Sequence, residues 1–516
     1  MKRATLSSIC HPFNPLGTMG KVIRQGISSG IFIYIGMALG FVNATILFPK
    51  YLGKEVYGFC QFLIYISELL AVFSLLGAPN VIVRFFPRFR DKDPSHGGLI
   101  GFIMTIVGVT TLLVTGLLLL LRPSFISWFG GEGSGDYLAR FYGGLIIFFI
   151  FTNLNTLLNN YSTALQRPRV PTFFGEIGSR LITFSLIFLF IIQWIDEDQF
   201  IQLYTLKLLP ITLGLLFFLY LIGEWKTRPN FRIIKQPIFH EMKAYGLYAV
   251  FAKIGRQLVN RIDIIMITAL LSLGDVGIYA LFYFLSQVIM KTHEGIGKMA
   301  NPMIAEYWQH EKLGELKTFY KRTALNNWVA AVLIFVGIIA NLENAILLVG
   351  EEYRPGMPVA IFLGIAQLVN VVNGYNGLVL IHSPYYRFDL IFKFITAAFT
   401  VISNYLFINW MGLTGAAVAT ALTLVLQNLM MQSFLYRKLG IHPFSRPMLT
   451  VALFSMVALG IGLLLPRVEW HYILDIILRS GTMSVAFGLL VLLFNPAPDI
   501  TDYFWKLAAK VGIHRS

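Results

Sequence analysis

The chain has 516 residues, of which 56% are hydrophobic and only 13% charged, and its mean hydropathy is +0.69. A soluble domain carries about 25% charged residues, so much of this surface must face lipid. The apolar runs are long and unbroken, which favours spanning helices over the short alternating strands of a membrane barrel. The net charge of +15 does not indicate nucleic-acid binding, because the basic residues lie in short loops between apolar runs. An all-α polytopic membrane protein is predicted, with membrane lipids as partners and no nucleic acid.

The first predicted span follows a tail of 24 residues that contains no apolar signal-peptide core. We therefore interpret it as an uncleaved span. Cys10 and Cys60 are the two cysteines, and neither belongs to a CxxC motif, so no disulfide framework is expected.

Apolar runs between charged or Gly/Pro breaks predict 14 spanning helices. The weakest breaks are the short turns 272–275 and 410–412. The predicted spans are 25–48, 56–83, 97–121, 138–164, 171–193, 200–222, 244–271, 275–301, 323–349, 357–381, 388–409, 413–436, 447–466 and 471–494.

The distribution of Lys and Arg orients these spans. With the amino terminus and every second loop assigned to the cytoplasm, the inside segments hold 26 of the 41 Lys and Arg residues and the outside loops hold 5. This asymmetry follows the positive-inside rule. The protein is expected in the inner membrane of a bacterial cell, with both termini in the cytoplasm.

Two pairs of glycines suggest an internal repeat. Gly58 and Gly277 are 219 residues apart, and Gly77 and Gly297 are 220 apart. Repeats are common in transporters. The spacing predicts two six-helix lobes followed by two further helices. The predicted divisions are a cytoplasmic tail (1–24), an N-lobe (25–222), a cytoplasmic linker (223–243), a C-lobe (244–436), helices 13 and 14 (447–494) and a cytoplasmic tail (495–516).

Ionisable residues are concentrated in the seventh and eighth predicted spans. Each such side chain costs about 2.5–3.5 kcal/mol at mid-helix and usually faces a cavity. At about 100° per residue, four polar residues of each helix form one stripe about 15 Å long. The stripes consist of Lys253, Arg256, Asn260 and Asp263 in the seventh span and of Lys291, Glu294, Lys298 and Asn301 in the eighth. These eight residues and Arg261 are the candidate substrate-binding residues.

Two interpretations of the stripes stay open. Arg256 with Glu294, or Lys253 with Asp263, would form structural ion pairs between the helices. The cations outnumber the anions, however, which pairing alone does not explain. Surplus positive charge suits an anionic ligand such as a diphosphate, held by charge-assisted hydrogen bonds.

Other polar residues of the predicted spans are more isolated. Glu68 either takes up a coupling proton or sodium ion or makes a local hydrogen bond. Glu176 with Arg180, and Asp389 with Lys393, have the i, i+4 spacing of intrahelical pairs. Asn370, Asn373 and Asn376 either contact ligand hydroxyl groups or join helices. The candidates for ion coupling or for lining a cavity are Glu68, Lys207, Arg180, Asn370 and Asn373.

Several segments resemble polysaccharide biosynthesis proteins of the O-antigen flippase type, within the multidrug/oligosaccharidyl-lipid/polysaccharide exporter superfamily. They are Gly40–Asn43, Phe48–Gly53, Tyr57–Gly58, Leu76–Gly77, Arg84–Pro87, Arg261–Asp263, Gly274 and Val276–Tyr279. The resemblance implies two lobes around a central cavity, alternating access and an undecaprenyl-diphosphate-linked oligosaccharide as cargo for O-antigen or lipopolysaccharide synthesis. The role of the family's cavity cations would fall to Lys253, Arg256, Arg261, Lys291 and Lys298.

Three other functions are compatible with a chain of many spans. Lipid II flippases share 14 helices but carry an arginine in the first helix, whereas 26–48 holds no charge here. Drug exporters of the superfamily bind cations, which suits a positive cavity poorly. A membrane-embedded polymerase or glycosyltransferase would need a large outside loop, which the sequence lacks. With no nucleotide-binding loop, metal-ligand cluster or nucleophile motif, we expect neither an enzyme nor a cofactor. We expect a monomer, with polysaccharide assembly enzymes as candidate associates.

Overall fold

A computed structural model describes residues 31–90, 96–131, 134–225, 228–467 and 471–510, without the side chains of Ser134, Asn260, Leu507, Ala508 and Lys510. Cys10 and the tail 1–24 lie outside the described residues. The described chain is helical and contains no strand, which confirms the predicted fold class. Its α-helices are α1 (31–42), α2 (Phe48–Leu75), α3 (Ala78–Phe89), α4 (Leu99–Leu120), α5 (Arg122–Phe129), α6 (Ser134–Ala164), α7 (Arg169–Thr172), α8 (Ser179–Ile191), α9 (Glu197–Thr205), α10 (Leu208–Leu221), α11 (Pro237–Leu270), α12 (Leu273–Gln309), α13 (Leu313–Ala340), α14 (Leu342–Val349), α15 (Met357–Val372), α16 (Asn376–His382), α17 (Arg387–Leu439), α18 (Arg446–Leu464), α19 (Tyr472–Phe494) and α20 (Pro498–Lys510).

Within the described residues, 11 helical stretches are long and apolar enough to cross a membrane. Two of them, Ile31–Leu75 and Arg387–Leu439, have 45 and 53 residues, enough for two crossings each. Gly53 (φ 75°) and Gly412 (φ 58°) interrupt them in the predicted turns. The 34-residue α11 is not among the 11, because each 18-residue stretch of it holds at least three charged residues. The chain is a multi-pass membrane protein; the number 14 stays a prediction.

The chain forms two compact units. In its described part, the first unit comprises 31–43, Ser74–Leu113 and Ile147–Leu247. Its interior is aromatic: Phe86 is fully buried, and its ring lies 5.5 Å from that of Tyr161 and 4.9 Å from that of His96. The segment Phe173–Gly178 of this unit is π-helical and replaces an ordinary α-helical turn. A second π-helical segment, Asn43–Leu47, begins at the last residue of 31–43 and continues in the second unit.

The second unit comprises Ala44–Phe73, Val114–Ile146 and the chain from Tyr248 onward. It holds the charged segments of α11 and α12. One buried cluster is built around Tyr320, Tyr375 and Leu435, and another around Val332, Val451 and Phe487. This unit therefore provides the packed frame on which the two polar stripes lie.

The repeat-related glycines Gly58 and Gly277 contact each other inside the second unit. A Cβ at Gly58 would overlap the carbonyl oxygen of Leu273 and lie 2.9 Å from the Gly277 amide nitrogen. A Cβ at Gly277 would overlap the carbonyl oxygen of Lys54 and lie 3.1 Å from the Gly58 amide nitrogen. Each glycine thus meets the residue four positions before the other. This reciprocity is the contact that a twofold relation between two repeats would give.

The helix α20 lies in the segment predicted only as a tail. It starts beside α13, where Arg322 Nε donates to Asp499 Oδ2 at 3.0 Å and Asn326 Nδ2 donates to the same oxygen at 3.1 Å. The hydrogen bond from Arg322 lowers the pKa of the Asp499 carboxyl. Ile500 packs against the cluster around Phe487. The i, i+4, i+7 spacing of Ile500, Phe504 and Leu507 was the signal that would have predicted this helix.

A buried ion pair lies in α19 of the second unit. Arg479 Nε donates to Asp475 Oδ2 at 3.0 Å, and the two side chains are 5% and 4% exposed. Asn344 Nδ2 also donates to Asp475 Oδ2, at 2.5 Å, and Arg479 donates to the carbonyl oxygen of Gly462. The pair therefore joins α19 to α14 and α18.

Candidate functional site

The predicted cationic residues lie on α11 and α12, and those two helices meet at Arg261. Arg261 Nη1 donates to the Tyr65 hydroxyl at 3.1 Å, and its guanidinium lies 4.5 Å from the centroid of the Tyr65 ring. The ring of Tyr283 on α12 is 5.7 Å from the same guanidinium. Cation–π contacts of this kind hold a charge without neutralising it. Arg261 is therefore positioned by aromatic side chains from α2 and α12 while it keeps its positive charge.

Asp263 is buried between three helices. Its side chain, 3% exposed, accepts hydrogen bonds from the Tyr279 hydroxyl at 2.6 Å, from the Ile264 amide at 2.9 Å and from the Thr420 hydroxyl at 3.5 Å. The donors come from α11, α12 and α17. All of them are uncharged, so the carboxylate is stabilised by hydrogen bonds and not by an ion pair. This arrangement makes Asp263 a residue that positions α11.

We expect Tyr279→Phe to lower the stability of the folded protein by about 1–3 kcal/mol, because it removes the shortest hydrogen bond to a buried carboxylate. Thermal unfolding of purified protein in detergent, followed by tryptophan fluorescence, measures the change. Tyr283→Phe is the matched control, since no hydrogen bond of its hydroxyl is seen among the described residues. Equal midpoints for the two variants would contradict the role given to Asp263.

The stripe of α12 contains an ion pair within the helix. Lys291 Nζ lies 2.8 Å from Glu294 Oε2, and both side chains are partly exposed. His382 Nε2 lies 2.8 Å from Asn301 Oδ1, and this contact fixes the C-terminal end of the stripe. Lys298 is exposed and forms no ion pair with any described residue. Asn260 lies on α11, but its side chain is outside the described residues.

Neither interhelical ion pair considered from the sequence is formed. Glu294 binds Lys291 and not Arg256, because i, i+3 neighbours on one helix are already within reach. Asp263 is taken up by Tyr279 and not by Lys253. Lys253, Arg256, Arg261 and Lys298 consequently have no carboxylate partner in the part of the chain that the structure describes. The site holds five cations against the three carboxylates of Glu68, Asp263 and Glu294.

The further candidates have local partners. Glu68 Oε2 accepts from Gln257 Nε2 of α11 at 3.3 Å, so this carboxylate does reach the charged helix. In the first unit, the Lys207 ammonium lies 3.8 Å from the Tyr204 ring centroid, and Arg180 forms the predicted pair with Glu176 at 2.6 Å. The second predicted intrahelical pair, Lys393 with Asp389, is also formed at 2.6 Å.

Two of the three asparagines join helices. Asn428 of α17 donates to Asn370 Oδ1 at 2.6 Å and accepts from Asn376 Nδ2 at 2.9 Å. Asn373 Nδ2 donates to the carbonyl oxygen of Val369 at 2.7 Å. Asn373 also lines a cavity of about 600 Å³ together with Asn428 and Gln432. Helix–helix hydrogen bonding therefore accounts for Asn370 and Asn376, whereas a functional role for Asn373 stays a prediction.

Several residues of the site were missed from the sequence. Tyr65, Tyr279 and Tyr283 hold the two central charges of α11. Their signal was the i, i+3 spacing of Tyr65 with Glu68 and the i, i+4 spacing of the two tyrosines on α12. His293, between Lys291 and Glu294, stacks on Tyr375 with ring centroids 4.3 Å apart. Nothing in the sequence brings Tyr375 to that position.

Comparison with known proteins places this chain in a family. The model of the family "Polysaccharide biosynthesis protein" matches residues 22–308, more than half of the chain and including most of α12. An uncharacterized membrane protein of Methanocaldococcus jannaschii, MJ1068, is 21% identical over 430 residues, which cover 77% of this chain and 80% of that protein.

Solved structures share the fold. The lipid II flippase MurJ in an inward closed conformation superposes with a TM-score of 0.70 at 13% identity, over 91% of this chain and 98% of that chain. An inward-facing multidrug resistance MATE family transporter of the MOP superfamily superposes with a TM-score of 0.61 at 12% identity, over 79% and 94%. These structural similarities confirm the predicted all-α membrane fold. The chain belongs to the polysaccharide biosynthesis protein family and has the all-α fold seen in MurJ and MATE transporters.

Proposed function

We propose that this protein is a flippase that moves a polyprenyl-diphosphate-linked oligosaccharide across the cytoplasmic membrane by alternating access. Family membership and the transporter fold support movement of a substrate in polysaccharide biosynthesis. The observation that carries the proposal is the set of four cations without a carboxylate partner among the described residues: Lys253, Arg256, Arg261 and Lys298.

Uncompensated positive charge within spanning helices is costly unless a ligand or water meets it. A diphosphate offers several anionic oxygens to Arg and Lys donors, and such charge-assisted hydrogen bonds are roughly twice as strong as neutral ones. The free cations therefore suit the diphosphate better than they suit the uncharged glycan or a cationic drug. In this scheme the isoprenoid chain remains in the bilayer during translocation.

Four of the five cations have distinct parts in this scheme. Arg261 is held between Tyr65 and Tyr283 and offers a fixed charge. Arg256 and Lys298 are exposed and can follow the diphosphate as it moves. Lys291 is partly neutralised by Glu294, so its contribution is smaller. Glu68, tied to Gln257, stays the candidate for ion coupling.

Transport of a fluorescent polyprenyl-diphosphate oligosaccharide in proteoliposomes tests the proposal. We expect Arg256→Ala with Lys298→Ala to slow translocation at least tenfold, because two charge-assisted contacts at about 1.5–3 kcal/mol each are removed. Lys298→Arg keeps the charge and should retain transport. Lys438→Ala, an exposed cation at the end of α17, is the matched control.

Three results would overturn this assignment. Normal transport by the double variant would remove the proposed role of the cations. Transport of organic cations in place of the lipid-linked glycan would favour a drug exporter. Elongation of the glycan without translocation would favour a membrane-embedded polymerase or glycosyltransferase. Lipid II offered as a competing cargo separates the glycan preference from the preference for a polyprenyl diphosphate.

A further inference from the structure

A surface rich in cations lies on the segment between α10 and α11 in the first unit. We call it the connector surface; it consists of Arg228, Phe231, Arg232, Ile234 and Lys235. The acidic residues near it are already bound, since Glu224 Oε2 lies 2.6 Å from His96 Nε2 and Glu241 Oε2 lies 2.9 Å from Arg88 Nη1. The three cations of the connector surface are exposed and form no ion pair with any described residue. The surface therefore carries uncompensated positive charge.

The backbone under this surface is fixed to the start of α4. The Asn230 side chain donates to the carbonyl oxygen of Gly97 at 2.9 Å and accepts from the Arg232 amide at 3.1 Å. A Cβ at Gly101 would lie 2.7 Å from the Pro229 nitrogen, so α4 and the connector are in direct backbone contact. Ile233 is fully buried. The backbone that carries the exposed side chains is thus attached to the start of α4.

Two large apolar side chains of the connector surface are exposed. Phe231 is 53% exposed and Ile234 is 47% exposed, each beside a cation of the connector surface. The ring of Phe231 lies 5.9 Å from that of Phe102, near the beginning of α4, where the apolar stretch His96–Leu120 starts. Apolar side chains flanked by Lys and Arg at the end of a span are typical of segments in the bilayer interface. An anionic headgroup layer complements the cations, whereas a neutral one does not.

We propose that the connector surface binds anionic phospholipid headgroups, with Phe231 and Ile234 inserted at the boundary between headgroups and acyl chains. The three cations lie against the lipid phosphates. Each cation near an anionic surface contributes roughly fivefold to the affinity, so the three together contribute on the order of 100-fold. This interaction is independent of the transported cargo.

Spin labels test the position of the two apolar side chains. Labels at Phe231→Cys and Ile234→Cys, in a Cys10→Ser and Cys60→Ala background, are compared with one at Gln236→Cys, an exposed neighbour. In vesicles that contain phosphatidylglycerol we expect the first two labels to be accessible to oxygen and shielded from a water-soluble nickel complex. The label at position 236 should remain accessible to nickel. Nickel access at 231 and 234 equal to that at 236 would overturn the proposal.

Lipid titration tests the cations. Native mass spectrometry measures retention of phosphatidylglycerol by wild type and by the Arg228→Gln, Arg232→Gln, Lys235→Gln triple variant. We expect binding to weaken at least tenfold. The matched control replaces three exposed cations of the second unit, Arg437, Lys438 and Arg446, by Gln and should weaken binding less than threefold. Equal losses in both triple variants would contradict a site at the connector. The spin-label result decides the matter even if the first triple variant fails to fold.

Discussion

A single methyl group at position 58, introduced by Gly58→Ala, is expected to prevent the protein from reaching a stable folded state. The added Cβ would overlap the Leu273 carbonyl oxygen, and a backbone atom cannot turn away as a side chain can. Overpacking of this kind costs about 3 kcal/mol or more, a large fraction of the stability of a typical domain. We expect Gly277→Ala to behave in the same way, because its Cβ would overlap the Lys54 carbonyl oxygen. The yield of monodisperse protein after gel filtration and the midpoint of thermal unfolding measure the effect.

Gly143→Ala is the control for these variants. Gly143 also lies within a helix of the second unit, but a Cβ there would have no atom within 4 Å. Alanine at that position should be neutral or stabilise the helix by up to about 1 kcal/mol. If Gly58→Ala and Gly143→Ala give the same yield and the same unfolding midpoint, the close contact between α2 and α12 is wrong.

The second large effect is expected at the buried ion pair of α19. Arg479→Leu would leave the Asp475 carboxylate buried without its charged partner, which costs about 3–5 kcal/mol. Replacing both residues, by Asp475→Leu with Arg479→Met, should restore most of the stability, since apolar side chains of similar size avoid the cost of burying charge. Thermal unfolding in detergent distinguishes the three proteins.

An exposed pair provides the comparison. Arg322 and Asp499 are 64% and 32% exposed, so Arg322→Leu should cost less than about 1 kcal/mol. If the double variant of Asp475 and Arg479 is less stable than Arg479→Leu alone, the expectation that apolar side chains can replace the buried ion pair is wrong. Such a result would show that Asn344 and the Gly462 carbonyl depend on the charges themselves.

Local features of the chain were predictable because they depend on near neighbours. Apolar runs located most helices to within a few residues, and the predicted turns contain Gly53 and Gly412, where the long helical stretches are interrupted. The i, i+4 spacing found both intrahelical pairs, Arg180 with Glu176 and Lys393 with Asp389. The charges of α11 and α12 were visible from the sequence because ionisable residues are rare in apolar runs.

Contacts between distant segments were not predictable in the same way. Helical periodicity gives the face on which Arg261 lies, but not the register at which α2 brings Tyr65 to it from 196 residues away. The same holds for Asp475 and Asn344, which are 131 residues apart. The pair of Arg256 with Glu294, one of the alternatives that the sequence left open, is not formed, because Lys291 is closer to Glu294 along the helix. Contacts between residues that are far apart in the sequence could therefore be identified only from the structure.

The contact between Gly58 and Gly277 also constrains how relatives of this protein can diverge. The absence of a side chain at each glycine makes room for a backbone carbonyl oxygen of the opposite helix, that of Leu273 at Gly58 and that of Lys54 at Gly277. A larger residue at one position therefore cannot be offset by a change at the other, and selection acts on each position separately. Relatives that keep this helix contact are therefore expected to keep both glycines, even at an overall identity of 21%. Sequences that fit the family but lack one of the two glycines would have to separate these helices by a wider gap.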